Sequence, residues 1–174
     1  MPPSTALLQS SSPSDVSQAL SDYPSVTKEQ FHTLHTRSRA AKATAYCPYS
    51  QFRVGATALT SEGVFVDGAN VENAAYPVGT CAERVCLGKG VVDGDIGVDR
   101  SYDKSVGDGE GSEKKKKGGK VVALAVATDI SPPASPYGMC RQLWVLTLFA
   151  RYIMSSRDSW RVLKSRSGMR KADV

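Results

Sequence analysis

Lys120 to Thr128 reads Lys-Val-Val-Ala-Leu-Ala-Val-Ala-Thr, and this run limits most what the chain can fold into. It is apolar from Val121 to Ala127, shows no polar alternation, and is closed by Asp129. A short apolar run rich in small and β-branched residues predicts a strand buried on both faces.

The segments before and after it carry other periods. Thr27-Lys28-Glu29-Gln30 has the form of a capping box, and Phe31, Leu34 and Ala41 then share one helical face up to Ala45. Cys47-Pro48-Tyr49-Ser50 breaks that helix. Phe52 to Leu59 reads as a strand, Ser61-Glu62-Gly63 as a turn, and Val64-Phe65-Val66 as the returning partner of a hairpin. Thr80-x-x-Glu83 predicts a second capping box, opening a helix to about Val92. A proline-rich bend over 131–136 leads to a third helix starting near Gly138. Helix, hairpin, helix, strand, helix is the order of an α/β layered domain with a mixed sheet.

The length of 174 residues suits one domain. Residues 1–25 are rich in Ser, Pro and Ala and read as a mobile arm ahead of a folded domain over 26–150. Within it, about 95–119 is charged and Gly-rich, ends in Lys114 to Lys117, and predicts a solvated or disordered insertion. Residues 151–174 have little apolar periodicity and predict a divergent basic tail with no clear strand.

The net charge of +5 is unevenly placed, with 8 Lys/Arg and 2 Asp/Glu from Arg141 onward. The rest of the chain is near neutral, which argues against a nucleic-acid surface on the fold itself. Cys47, Cys81, Cys86 and Cys140 give no disulfide framework, and the start lacks a signal-peptide pattern. Reduced thiols in the cytoplasm, some of them metal ligands, are the expectation. No run is long enough to span a bilayer.

Two places concentrate chemistry. Cys81-Ala82-Glu83-Arg84 sets a thiol and a carboxylate two residues apart at a predicted helix start. Pro136-Tyr137-Gly138-Met139-Cys140-Arg141 sets another thiol at a second one. The partial positive charge and open N–H groups of a helix N-terminus stabilise thiolates. Two such ends aimed at one point would make a cation–thiolate site, with Arg84 and Arg141 placed to offset its negative charge. Other clusters carry less. His32 and His35 read as solvent-facing helix residues, because no Cys or carboxylate clearly joins them, and Lys114 to Lys117 reads as a solvated loop.

Four ordered blocks resemble the small, homotetrameric-type cytidine deaminases, of a fungal-like kind: Cys47 to Ala56, Asn70 to Tyr76, Cys81 to Arg84, and Ser135 to Gln142. The resemblance implies a three-layer α/β/α cytidine deaminase-like fold with a mixed sheet. It implies a zinc cofactor and hydrolysis of cytidine or deoxycytidine to the uridine form in pyrimidine salvage. By the same resemblance Glu83 is the catalytic proton shuttle and Cys81 and Cys140 are zinc ligands, with Tyr137 standing at the third ligand position. Phe52, Asn70, Glu72, Asn73 and Tyr76 would contact the nucleoside. The implied partners are that small-molecule substrate and further copies of the chain, with no membrane and no nucleic acid. The alternative is a metal-deficient, catalytically impaired protein of the same fold, a binding subunit or an aberrant gene product. Cys86 lies five residues past Cys81 and so points away from it on a helix, and a phenol holds its proton far above neutral pH. Neither is a ready substitute for a third thiolate.

Overall fold

The computed structural model describes residues 7–9, 14, 17, 20, 21, 25–98, 118–130, 137–147, 151–155 and 159–163. Most of the insertion expected at 95–119, including Lys114 to Lys117, lies outside the described residues.

Helix α1 (Lys28–Ala41) starts at the predicted capping box. The Thr27 hydroxyl accepts from the Gln30 N–H, and the Gln30 side chain accepts from the Thr27 N–H. The buried face is Phe31, Leu34, Ser38 and Ala41, and a 3-10 turn at Lys42–Thr44 ends the run. Strands β2 (Val54–Thr60) and β3 (Phe65–Ala69) form the hairpin. The turn between them places Gly63 at φ 79°, where a side chain would be strained.

β4 (Val121–Thr128) lies inside a six-stranded sheet, pairing antiparallel with β2 and parallel with β5 (Arg151–Ser155). β6 (Ser159–Leu163) and β1 (Leu7–Gln9) complete the order β1-β6-β5-β4-β2-β3. Ala123 and Ala125 of β4 pack with Val26, Phe31 and Leu34 on the α1 side. Leu124 and Val126 face the other way, into a core with Ala82, Cys86 and Leu87 of α2 (Ala82–Val92). Helix α3 (Gly138–Thr147) adds Leu143 to that second core. The result is three layers, α/β/α, around a mixed sheet, and the apolar run is apolar because both of its faces are covered.

Three local features differ from the sequence reading. Thr80 does not cap α2. Its N–H and carbonyl both bond across to Val71, so the helix opens one residue later with Cys81 at the N-cap and no side-chain capping bond. Residues 151–163 contain two strands where none was expected. Tyr152 and Ile153, then Trp160 and Val162, are good strand residues, but each run is too short to show a period. The open edge of β4 is what supplies a partner. Within the N-terminal arm, Leu7–Gln9 pairs antiparallel with β6.

Two glycines let the helices approach the sheet. A Cβ on Gly55 would meet the Ser38 carbonyl of α1 at 2.2 Å. A Cβ on Gly68 would meet the Cys86 nitrogen of α2 at 2.4 Å. α2 therefore rides directly on β3, and that contact fixes where its N-terminus points.

Candidate active site

The N-terminus of α2 and the first turn of α3 meet on one face of the sheet. Cys81 is the N-cap of α2, Glu83 lies in its first turn, and Cys140 is the third residue of α3. Their ligand atoms, two sulfurs and a carboxylate oxygen, all lie within 4.8 Å of one another. Cys140 and Glu83 are buried and Cys81 is half-buried.

The two thiols face each other across the cluster. The facing Cys140 thiol, aided by Arg84, holds Cys81 below the usual thiol range. The same contact pushes Cys140 up, and burial and the facing Glu83 add to the rise. Arg84 binds the Gly79 carbonyl at 2.9 Å and lies 3.7 Å from the Cys81 sulfur, so it offsets part of the negative charge. Arg141 is exposed, and its backbone N–H bonds to the Tyr137 carbonyl.

The other thiols stand apart. Cys86 is buried, its S–H donates to the Val66 carbonyl at 3.0 Å, and burial pushes it up to about 12. Among the described residues, Cys81, Glu83 and Cys140 are the one group of three or more His, Cys, Asp and Glu side chains placed to hold a metal ion. A tetrahedral zinc site takes three such donors and leaves one position open, so the donor set fits zinc. Two of these groups are thiols, and Tyr137, at the expected third ligand position, is 73% exposed.

A cavity of about 480 Å³ opens over this cluster. Phe52, Asn70, Glu72 and Tyr76 line it, as does Tyr137 at the start of α3; Asn73 does not. Asn70 is buried and clasps the entry to β2. Its carbonyl oxygen accepts from the Val54 N–H at 2.8 Å, and its NH₂ donates to the Phe52 carbonyl at 3.0 Å. Glu72 accepts from the Tyr49 and Ser50 N–H groups, each at 3.1 Å, and from the Ser50 hydroxyl. The Ser50 hydroxyl does most to hold the Glu72 carboxyl below the usual carboxylate range. Asn73 accepts from the Ala75 N–H. Ser50 was missed in the sequence reading. Its place in the Cys47-Pro48-Tyr49-Ser50 turn was the available signal, but only the fold shows that the turn closes on Glu72. Gln51, beside it, takes a left-handed φ of 54°, so the turn next to the cavity holds a conformation that non-glycine residues seldom adopt.

The family model described as "Cytidine and deoxycytidylate deaminase zinc-binding region" matches residues 28–156, and the chain belongs to that family. Among its relatives is a cytidine deaminase of Sporosarcina psychrophila, 38% identical over 110 residues, covering 63% of this chain and 64% of the relative. A cytidine deaminase of Halalkalibacterium halodurans is 39% identical over 103 residues, covering 59% and 61%. The chain thus spans just under two thirds of the length of these two relatives. The crystal structure of cytidine deaminase from Burkholderia pseudomallei superposes with a TM-score of 0.61 at 30% identity, covering 76% of this chain and 91% of that one.

Proposed function

We propose that the chain catalyses zinc-dependent hydrolytic deamination of cytidine or deoxycytidine, releasing ammonia and the uridine form, as a step of pyrimidine salvage. The observation that carries this reading is the meeting of Cys81, Glu83 and Cys140 within 4.8 Å beneath a cavity of about 480 Å³. Zinc, when bound to the two sulfurs, supplies the Lewis acidity that makes water nucleophilic near neutral pH. Glu83, buried beside those sulfurs, takes a proton from the attacking water and passes it to the ring nitrogen. As the C–N bond breaks, the same carboxylate carries the remaining hydroxyl proton to the leaving amino group, so one carbon–oxygen bond forms for each carbon–nitrogen bond lost.

The sugar is held at the other end of the cavity. Asn70 keeps one N–H and one lone pair beyond its two backbone bonds, and Glu72 keeps acceptor capacity beyond its three. Both side chains are set in place before substrate arrives, which lowers the cost of gripping ribose hydroxyls. Phe52 packs near the pyrimidine and Tyr76 stands at the mouth, while Asn73, which does not line the cavity, accepts from the Ala75 N–H in the loop leading to Tyr76. Arg84 and Arg141 offset the charge of the thiolates.

Tyr46, Tyr49, Val71, Tyr76, Val78 and Met139 are exposed apolar side chains on the segments around the mouth. They suit burial against further copies of the chain, and we assign it a homotetramer, to be checked by analytical ultracentrifugation. The four cysteines are free, which suits a reducing cytoplasm. Among the described residues no helix is long and apolar enough to cross a membrane.

The exposure of Tyr137 favours a second reading, a metal-deficient protein that binds nucleoside without turning it over. Ammonia release from cytidine and deoxycytidine by zinc-loaded protein separates the two. The proposal expects release that Glu83→Gln lowers by about 10²–10⁴-fold. A folded native chain with zinc bound that releases no ammonia would end it, and activity regained in Tyr137→Cys would then place the fault at position 137.

A further inference from the structure

The two sulfurs beneath the cavity differ in what can reach them. Cys81 is half-buried and lines the cavity wall. Cys140 is fully buried and does not line it. Their sulfurs lie within 4.8 Å of each other. The other two cysteines stand outside this cluster: Cys86 is buried and donates to the Val66 carbonyl, and Cys47 precedes the turn at 48–50. All four are free thiols. An accessible thiol backed by a buried one is the arrangement in which the second resolves oxidation of the first.

Two features of this chain leave the pair open to that chemistry. Tyr137, just before α3, is 73% exposed, so a metal finds two sulfurs rather than three and holds them less tightly. Cys81 makes no side-chain capping bond to α2, so its sulfur is not committed to the helix it precedes. A disulfide brings two sulfurs to about 2 Å. From within 4.8 Å the gap to close is no more than about 2.8 Å, a distance that a change of staggered well at χ1 of one or both side chains covers.

We propose that Cys81 and Cys140 form a reversible disulfide on exposure to hydrogen peroxide, with Cys81 oxidised first and Cys140 resolving it, and that this bond shuts the site to metal. The Cys81 sulfur attacks one peroxide oxygen. A sulfur–oxygen bond forms as the oxygen–oxygen bond breaks, leaving a sulfenic acid and one water. The Cys140 sulfur then attacks the Cys81 sulfur. A sulfur–sulfur bond forms as the sulfur–oxygen bond breaks, and the departing hydroxide takes the Cys140 proton as a second water. Two thiols lose two electrons in all, and one peroxide is reduced to two waters. The thiolate is the metal ligand, so a linked pair offers an ion no sulfur to bind. The inference goes beyond the proposed function and stands whether or not the chain turns over cytidine.

The test uses the full chain, stripped of metal by a chelator and treated with hydrogen peroxide. Intact mass should fall by about 2 Da, and peptide mapping should join the Cys81 and Cys140 peptides. Cys47→Ser should behave in the same way. In Cys140→Ser a diketone probe should trap sulfenic acid at Cys81, while in Cys81→Ser it should trap none at Cys140. Zinc uptake should fall in proportion to the linked fraction and return on treatment with dithiothreitol. A native chain in which Cys81 gains about 32 Da as sulfinic acid with no link to Cys140, or in which the link runs to Cys47, would overturn the inference. Undiminished zinc uptake by the linked chain would overturn its closing of the site. A reduced chain that takes up no zinc would remove the metal centre of the proposed function, while the mass readout still decides the disulfide.

Discussion

Gly68→Ala should damage the site from the far side of α2. A Cβ there would stand 2.4 Å from the Cys86 nitrogen, 2.7 Å from the Ala82 carbonyl oxygen and 2.7 Å from the Cys86 Cα. All three are backbone atoms of the helix that carries Cys81 and Glu83, so no side-chain rotation relieves the overlap. To reach an ordinary contact the helix must retreat by about 1 Å, and overpacking of this kind costs about 1–3 kcal/mol. For a chain of this length that lowers the melting temperature by about 2–4 °C per kcal/mol. Gly88 belongs to the same helix, and a Cβ on it meets nothing within 4 Å. Gly88→Ala should therefore stabilise by about 0.5–1 kcal/mol, through the lower backbone entropy cost of alanine in a helix. Urea unfolding of the two variants and the native chain, with zinc affinity measured beside it, reads both effects. The expected result is opposite signs for stability and weaker zinc binding in Gly68→Ala alone. Equal stability of the two variants would refute the claim that α2 is seated on Gly68.

Leu34 is fully buried between α1 and the sheet, so Leu34→Ala should cost about 2–5 kcal/mol in urea unfolding. His35 is half-buried rather than solvent-facing as its sequence position suggests, and that burial, with Arg39 and His32 nearby, pulls it down from its ordinary 6.5 to about 4. The folded state thus binds this proton less readily than the unfolded chain, so stability is full above pH 6.5 and falls as pH drops toward 4. Denaturation midpoints across that window should flatten in His35→Gln. Ser50→Ala removes the hydroxyl that orients Glu72 and leaves the two N–H bonds. Steady-state kinetics with cytidine should show KM raised by roughly 5–10-fold, about the worth of one hydrogen bond, with kcat little changed.

Much of the layer plan is legible in the residues themselves. Val121 to Thr128 has no polar alternation because α1 covers one face and α2 the other. Thr27 and Gln30 announce α1 because a capping box is local chemistry. The same local rule misplaced the start of α2, since Thr80 spends its backbone groups on Val71, a partner nine residues away that no local pattern names. β5 and β6 were not legible because five-residue strands owe their existence to the neighbour they pair with. At the site, Cys81, Glu83 and Cys140 could be singled out as chemistry at two helix starts, but their separation is a property of the fold. The Ser50–Glu72 clasp was invisible for the same reason, spanning 22 residues of chain.

The most direct measurement is X-ray absorption at the zinc edge of the native chain loaded with one equivalent of zinc. Two sulfur neighbours at about 2.3 Å, with the remaining shell of oxygen at about 2.0–2.2 Å, are predicted. A zinc shell without sulfur, or a folded chain that takes up no zinc, would contradict the meeting of Cys81 and Cys140 at one ion.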